Sequence, residues 1–188
     1  PPGKISNSNG YALSALVIEA GAAPVNLGIA RDTRESLREK LVSAMACDCI
    51  ISSGGVSVGD YDFVKDVLSE MGSSMKCWKV AMKPGKPLAF GVIGGKPAFG
   101  LPGNPISSMV AFEQFVRPSL LKMAGHTRIL RRIFAALLTA DIKIKPGRMN
   151  FLRAELQMRE GGFEVTPPDG QGSGMISTMV RANSFIVV

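Results

Sequence analysis

Ser52-Ser53-Gly54-Gly55-Val56-Ser57-Val58-Gly59-Asp60 is the stretch whose reading decides the fold; the apolar run Cys49-Ile50-Ile51 precedes it and Tyr61-Asp62-Phe63 follows. A short apolar run bounded by turn residues is the pattern of a parallel strand covered on both faces. Phe63, Val67 and Leu68 share one stripe and predict a helix over 62–71. The unit is therefore strand, glycine loop, helix. Paired glycines let backbone N–H groups approach an anion, and the helix N-terminus adds partial positive charge. Ser52, Ser53 and Ser57 add hydroxyl donors. The alternative is a tight turn that merely needs glycine, and the absence of GxxxxGK[ST] excludes a Walker A loop. Asp60 reads as a cap. Asp62 is open between a cap and a carboxylate that holds Mg²⁺ against phosphate oxygens.

Outward from this loop, helix-like and strand-like segments alternate. Leu13, Leu16 and Val17 recur at helical spacing between residues 9 and 20, with Gly21 as the stop, and Val25–Ile29 reads as a short strand. Asp32 or Thr33 caps a second helix carrying Leu37, Leu41 and Met45. Residues 75–82 read as a strand. Residues 88–93 and 96–100 flank Gly94-Gly95 as a hairpin, and a long helix runs from Pro105 to about Ala124. These elements predict an α/β domain over residues 1–126, with a three-layer, mostly parallel sheet and helices on both faces. From 127 to 188 the expectation changes to a small all-β, barrel-like domain, with short strands at 129–139, 149–158, 162–166, 175–180 and 184–188.

Two further loops bear on chemistry. In Met82-Lys83-Pro84-Gly85-Lys86-Pro87 the prolines stiffen a loop whose Lys83 and Lys86 could clamp an oxyanion at little ordering cost; the alternative is an exposed loop with incidental lysines. In Gly100-Leu101-Pro102-Gly103-Asn104-Pro105-Ile106-Ser107-Ser108 a strand ends and a helix starts. Pro105 lies in its first turn, Asn104 is able to cap, and the serines and free N–H groups offer another anion site. Three such loops on one sheet edge tell more than any one of them. In the second domain, Pro146-Gly147-Arg148 and Asp169-Gly170-Gln171-Gly172-Ser173-Gly174 are the obvious loops. The latter is like a nucleotide fingerprint only superficially, because no strand–helix pair surrounds it.

Composition narrows the classes. The 46% apolar fraction supports a packed core, and no apolar run approaches the roughly 20 residues of a membrane span. The first residues do not resemble a signal peptide, so a soluble cytoplasmic protein is the expectation. Cys47, Cys49 and Cys77 form no CxxC pair and read as buried thiols rather than a disulfide framework or zinc site. His126 reads as a loop or helix-end residue without a catalytic partner. The net charge of +7 suits an anionic ligand, and it also suits nucleic acid. However, the one dense cluster, Arg128, Arg131 and Arg132, lacks interleaved aromatics and reads as a solvated linker or a strand start. Neither nucleic acid nor membrane is expected as a partner.

SSGGVSVGDYD, MKPGKP and LPGNPISS, in this order, resemble signatures of the molybdopterin molybdenumtransferases, the family that includes the E domain of gephyrin. Ile5-Ser6-Asn7-Ser8-Asn9 is similar to the segment leading into the first helix of that family's central domain, and the resemblance covers nearly the whole chain. It implies insertion of molybdate into adenylylated molybdopterin with release of AMP, assisted by Mg²⁺. By motif, Ser53, Gly54, Gly55, Ser57 and Gly59, with Pro102, Gly103, Asn104 and Pro105, would lie along the pterin or its phosphate. Asp62 matches the family's catalytic-site aspartate and metal ligand. Lys83 and Lys86 match the lysines that face molybdate, and Ser107 matches the serine of that pocket. Arg148 and Ser173 correspond to second-domain residues approaching it. The resemblance also implies a homodimer in the full-length protein and the molybdopterin adenylyltransferase as a partner. The family's full-length proteins carry two further N-terminal domains, and their central domain opens with a strand and a Thr-Gly-Asp-Glu loop. This sequence starts after that point, so the expectation is a first domain without its first strand. A truncated module that binds molybdopterin without catalysis is the alternative.

Overall fold

The computed structural model describes residues 6–54, 62–74, 77–168, 170–172 and 175–188; of residues 62–65 and 77–78 it describes the backbone alone. Helix α1 (Ser8–Glu19) starts at Asn7, whose side chain accepts from the Gly10 N–H at 3.1 Å, and it stops before Gly21, which takes a φ of 82°. Helix α2 (Arg34–Ala44) starts at Thr33, whose hydroxyl accepts from the Ser36 N–H at 3.2 Å. Strand β1 (Ile50–Ser53) and helix α3 (Asp62–Glu70) follow. Next come β2 (Cys77–Lys79), β3 (Met82–Lys83), and the hairpin of β4 (Pro87–Ile93) and β5 (Lys96–Leu101). The two-residue turn stands as expected, with Ile93 opposite Lys96 and both turn glycines at positive φ.

Sheet order in this half is β1-β5-β4-β2. The α/β architecture stands, and its sheet is mixed: β1 and β5 are parallel, whereas β4 pairs antiparallel with both β5 and β2. Alternation along the strands sends side chains to two cores. Leu88, Phe99 and Leu101 pack with Leu13 and Val17 of α1 and with Ala111, Phe112 and Val116 of the long helix. On the opposite face Ile50, Ile93 and Ala98 pack with Leu41 and Ala44 of α2 and Val67 of α3. Helices therefore cover both faces, as the patterning requires. Val25–Ile29 is not a strand. The segment is irregular, with Val25 and Ile29 64% and 69% exposed, and no strand among the described residues pairs with it.

The long helix is three pieces: α4 (Pro105–Ala111), a π-helical turn (Phe112–Val116) and α5 (Arg117–Met123). Pro118 supplies the cause, since it has no N–H to return to the carbonyl of Gln114 and its ring crowds that carbonyl. The linker beyond it is not merely solvated. Arg131 forms a two-pronged pair with Glu113 at 3.0 and 3.1 Å and reaches Glu19 of α1 at 2.9 Å, while Arg117 donates to the Ile129 carbonyl. These bonds, first the one to Glu113, raise the already high pKa of the Arg131 guanidinium, so it stays charged.

The second half contains β6 (Leu137–Leu138), β7 (Met149–Arg159), β8 (Gly162–Thr166), helix α6 (Ile176–Arg181) and β9 (Ser184–Val187). Two expectations are corrected. Only 137–138 of the stretch 129–139 is strand, and its exposed Leu130 and Ile133 find no partner strand. Residues 175–180, whose alternating branched side chains read as strand, form α6, so this half is not all β. Thr178 is buried there with its hydroxyl on the Met175 carbonyl at 2.7 Å, and Met179 packs into the core. Pairing runs β3-β7-β8-β6 with β9 on β7, and it does not close into a barrel among the described residues.

β3 belongs to the first half in sequence yet pairs in parallel with β7, Met82 opposite Met149 and Lys83 opposite Asn150. A third core joins the halves: Met82, Ile106, Met109 and Val110 pack with Phe151, and Met179 and Phe185 lie against it. Burying each large apolar side chain here contributes about 1.5–3 kcal/mol.

Cys49 packs against the first core, and burial pushes its thiol up from 9.0 to about 11, with Asp48 and Cys47 adding to the effect. A thiol whose folded pKa lies above its unfolded value contributes stability that is present below pH 9 and lost as pH rises through about 11. At pH 8, Cys49 is expected to react with iodoacetamide about a hundredfold more slowly than in unfolded protein, because the thiolate is the reacting form. Peptide mapping of the labelled protein checks this, and equal rates at pH 8 would refute burial of the thiol.

Candidate functional site

The parallel pair β1 and β5 ends level, Ser53 opposite Leu101, and the Gly54 N–H donates to the Leu101 carbonyl at 3.0 Å. Two loops thus leave the carboxyl ends of adjacent strands side by side. Gly54 turns away at a φ of 87°, in the left-handed region where glycine is strain-free. Gly103 lies so close that a Cβ built on it would sit 3.6 Å from the Gly54 Cα. Immediately beyond, Pro105 occupies the first position of α4, as the sequence implies. Asn104 stands at the cap position, but its side chain makes no capping bond; its backbone carbonyl accepts from the Ser108 N–H at 2.9 Å. Pro102 is buried, and Gly103 is exposed at the loop surface.

Ser53 differs from its expected role as a free donor. Its hydroxyl accepts from Asn9 Nδ2 at 2.6 Å and donates to the Pro102 carbonyl at 3.3 Å. The second Nδ2 proton of Asn9 goes to the Gly103 carbonyl at 2.8 Å. Asn9 was not among the expected site residues. The signal that could have found it is its register with Leu13 and Val17, a polar residue heading the buried stripe of α1. Its Oδ1 is buried without a hydrogen-bond partner among the described residues, which leaves a carbonyl desolvated at a cost of about 1–3 kcal/mol.

The lysine loop joins β3, which pairs with the second half, to β4 of the first. Lys83 ends β3, and Lys86 precedes β4; both are exposed, and the Lys86 carbonyl accepts from the Val80 N–H at 3.0 Å. Between them Gly85 is buried, with a φ of 108°. A Cβ on Gly85 would meet Met82 Cε at 3.0 Å and the Ser107 carbonyl oxygen at 3.6 Å. The loop is therefore seated on the first turn of α4, where Ser107 is 8% exposed. Neither ammonium takes part in an ion pair among the described residues.

Pairing of β3 with β7 also brings the start of β7 alongside Lys83. The exposed Arg148 precedes that strand, and its carbonyl accepts from Asn150 Nδ2 at 2.8 Å. Further along β7, Arg153 is 1% exposed and donates to the Gly170 and Gly172 carbonyls, each at 3.3 Å. Burial lowers its pKa. Gln171 completes the clamp, accepting from the Arg153 N–H at 3.1 Å and donating to its carbonyl at 3.0 Å. Gly55, Ser57, Gly59 and Ser173 lie outside the described residues, as does the side chain of Asp62, whose backbone opens α3.

Chemically, the described parts of the loops offer exposed cations, and among the described residues no nucleophile is paired with a base. Among the described residues no group of three or more His, Cys, Asp or Glu could hold a metal ion. A cleft of about 280 Å³ between Met82, Gln114, Phe115, Met149 and Phe151 is apolar and unsuited to an anion.

The family model described as a probable molybdopterin binding domain matches residues 2–122. The chain belongs to the molybdopterin-binding domain family. The MoeA C-terminal region (domain IV) matches residues 135–188. The chain is 36% identical to the molybdopterin molybdenumtransferase of Haemophilus influenzae, covering 99% of this chain and 46% of that protein. It is 37% identical to the enzyme of that name from Nostoc, with 100% and 44% covered. It thus spans a little under half the length of the curated relatives it matches. The crystal structure of the molybdopterin biosynthesis MoeA protein from Pyrococcus horikosii superposes with a TM-score of 0.75 at 32% identity, over 100% of this chain and 46% of that one.

Gly85→Ala is expected to destabilise the protein by about 1–3 kcal/mol, because alanine is strained at this φ and its Cβ presses on Met82. Denaturant unfolding measures it. Unchanged stability would mean that the lysine loop is not seated on α4 as described.

Proposed function

We propose that the protein inserts molybdate into adenylylated molybdopterin with release of AMP, leaving molybdenum on the dithiolene. The observation that supports this best is the convergence at the start of α4: Gly54 and Gly103 meet there, and Gly85 seats the lysine loop on Ser107. The substrates fit these groups. A phosphate and a dianionic oxyanion call for fixed N–H donors and cations aimed at oxygen, rather than for a nucleophile.

In this reading Gly54 and Gly55, with Ser57 and Gly59, cradle the pterin or its phosphate, and Pro102, Gly103, Asn104 and Pro105 wall the same pocket. Ser53 positions that wall through its bonds to Asn9 and Pro102. Lys83, Lys86 and Ser107 hold molybdate in place of its hydration shell, and Arg148 and Ser173 close the pocket from the second half. Asp62, at the head of α3, is the carboxylate for Mg²⁺. It would hold the ion together with phosphate oxygens of the substrate, which is the usual mode for Mg²⁺. Bound there, the ion would neutralise phosphate charge.

The same reading has the full-length protein work in the cytoplasm as a homodimer, beside the molybdopterin adenylyltransferase that supplies its substrate. An exposed apolar stripe on α1, with Tyr11 81% and Ile18 62% exposed around Ala15, supports the dimer.

Replacing Lys83 and Lys86 together by alanine is expected to weaken molybdate binding at least about tenfold, since each charge-assisted contact to an oxyanion is worth more than a neutral one. Calorimetry decides, and equal affinity would remove both lysines from the molybdate site. Asp62→Asn is expected to abolish cofactor formation by the full-length protein while molybdopterin still binds. Unchanged cofactor yield in a reconstitution assay would take Asp62 out of the reaction.

A further inference from the structure

Asn9 links the two glycine loops to α1 through a relay. One Nδ2 proton goes to Ser53 Oγ at 2.6 Å, Ser53 passes its own proton to the Pro102 carbonyl at 3.3 Å, and the other Nδ2 proton goes to the Gly103 carbonyl at 2.8 Å. Chemistry fixes the orientation of the amide, because the Gly103 carbonyl can only accept. Oδ1 therefore sits at the opposite end of a side chain that is 9% exposed, buried and without a partner among the described residues.

We infer that Asn9 is a positioning residue that sets the separation of the Gly54 and Gly103 loops, and that molybdopterin binding depends on that spacing. This rests on the molybdopterin reading above.

The test uses the full-length protein and measures molybdopterin affinity for the wild type, Asn9→Ala, Ser53→Ala and the double variant, with thermal unfolding of each. Asn9→Ala is expected to lose about tenfold or more in affinity. Ser53→Ala should lose less, and the double variant should be no worse than Asn9→Ala, because both act through one relay. Asn9→Asp keeps the shape but turns an oxygen toward the Gly103 carbonyl. It should bind poorly at pH 7 and recover as its carboxyl is protonated, while the wild type lacks that recovery over the same range. A residue that merely supports the fold would not produce that pH profile. Wild-type affinity in Asn9→Ala, or additive losses, would overturn the inference. If Asn9→Ala does not fold, wild-type binding by Ser53→Ala overturns it. Failure of the wild type to bind molybdopterin would instead sink the reading of function, and the Asn9–Ser53 coupling would still appear in unfolding.

Discussion

Parallel pairing of β1 with β5 is the constraint on which the site depends. Four residue pairs from Ile50–Ala98 to Ser53–Leu101 bring both strands to the same level, and the Gly54 N–H extends the ladder by one bond. Because the strands point the same way, two loops must leave from one edge. A parallel pair needs a long crossover, and here α3, β2, β3 and β4 supply it before the chain returns as β5. Gly54 takes the left-handed φ that its turn needs, and Gly103 comes within ordinary van der Waals reach of it.

The second constraint is the interlock between the halves. β3 contributes only Met82 and Lys83, but it pairs with β7, and Met82 is 2% exposed within the shared core around Ile106, Val110 and Phe151. Lys83 is thus held by the second half, whereas Lys86 leads directly into β4 of the first. Any shift of one half against the other would change the separation of the two ammonium groups. The apolar contacts of this core, Met82 beneath Gly85 among them, therefore help to fix where the two lysines stand.

Much of the fold was legible because local chemistry and tertiary structure agree. Gly94-Gly95 demands a two-residue turn, Thr33 caps, Pro105 opens a helix, and each appears where read. The start of α4 after Gly103 was legible for the same reason, whereas residues 55–60 of the first loop lie outside the described residues. What failed depended on neighbours. Val25–Ile29 has the composition of a strand, but a strand exists only when another bonds it. Residues 176–181 alternate like a strand, yet Thr178 and Met179 find their burial as a helix against the first half. The parts of the site not foreseen, Asn9 and the Arg153 clamp, are single polar residues within apolar patterns. Their partners lie far along the chain, Ser53 and Gly103 for one, Gly170 and Gly172 for the other.

That contrast bears on how the two halves of the site are built. Arg153 is a buried cation with Nε unpartnered among the described residues, holding a loop by carbonyl oxygens alone. Asn9 holds its loops with a neutral amide. A fixed charge placed between Gly54 and Gly103 would attract counter-ions and compete with the backbone N–H groups for an anion, whereas a neutral amide locks the loops and leaves their field to the ligand. At the rim the requirement reverses. Lys83, Lys86 and Arg148 are exposed, so solvent carries most of the cost of keeping them charged until an anion replaces that water. A neutral amide where the backbone is fixed, and solvated cations on the lysine loop and before β7, leave no uncompensated charge buried beside Gly54 and Gly103.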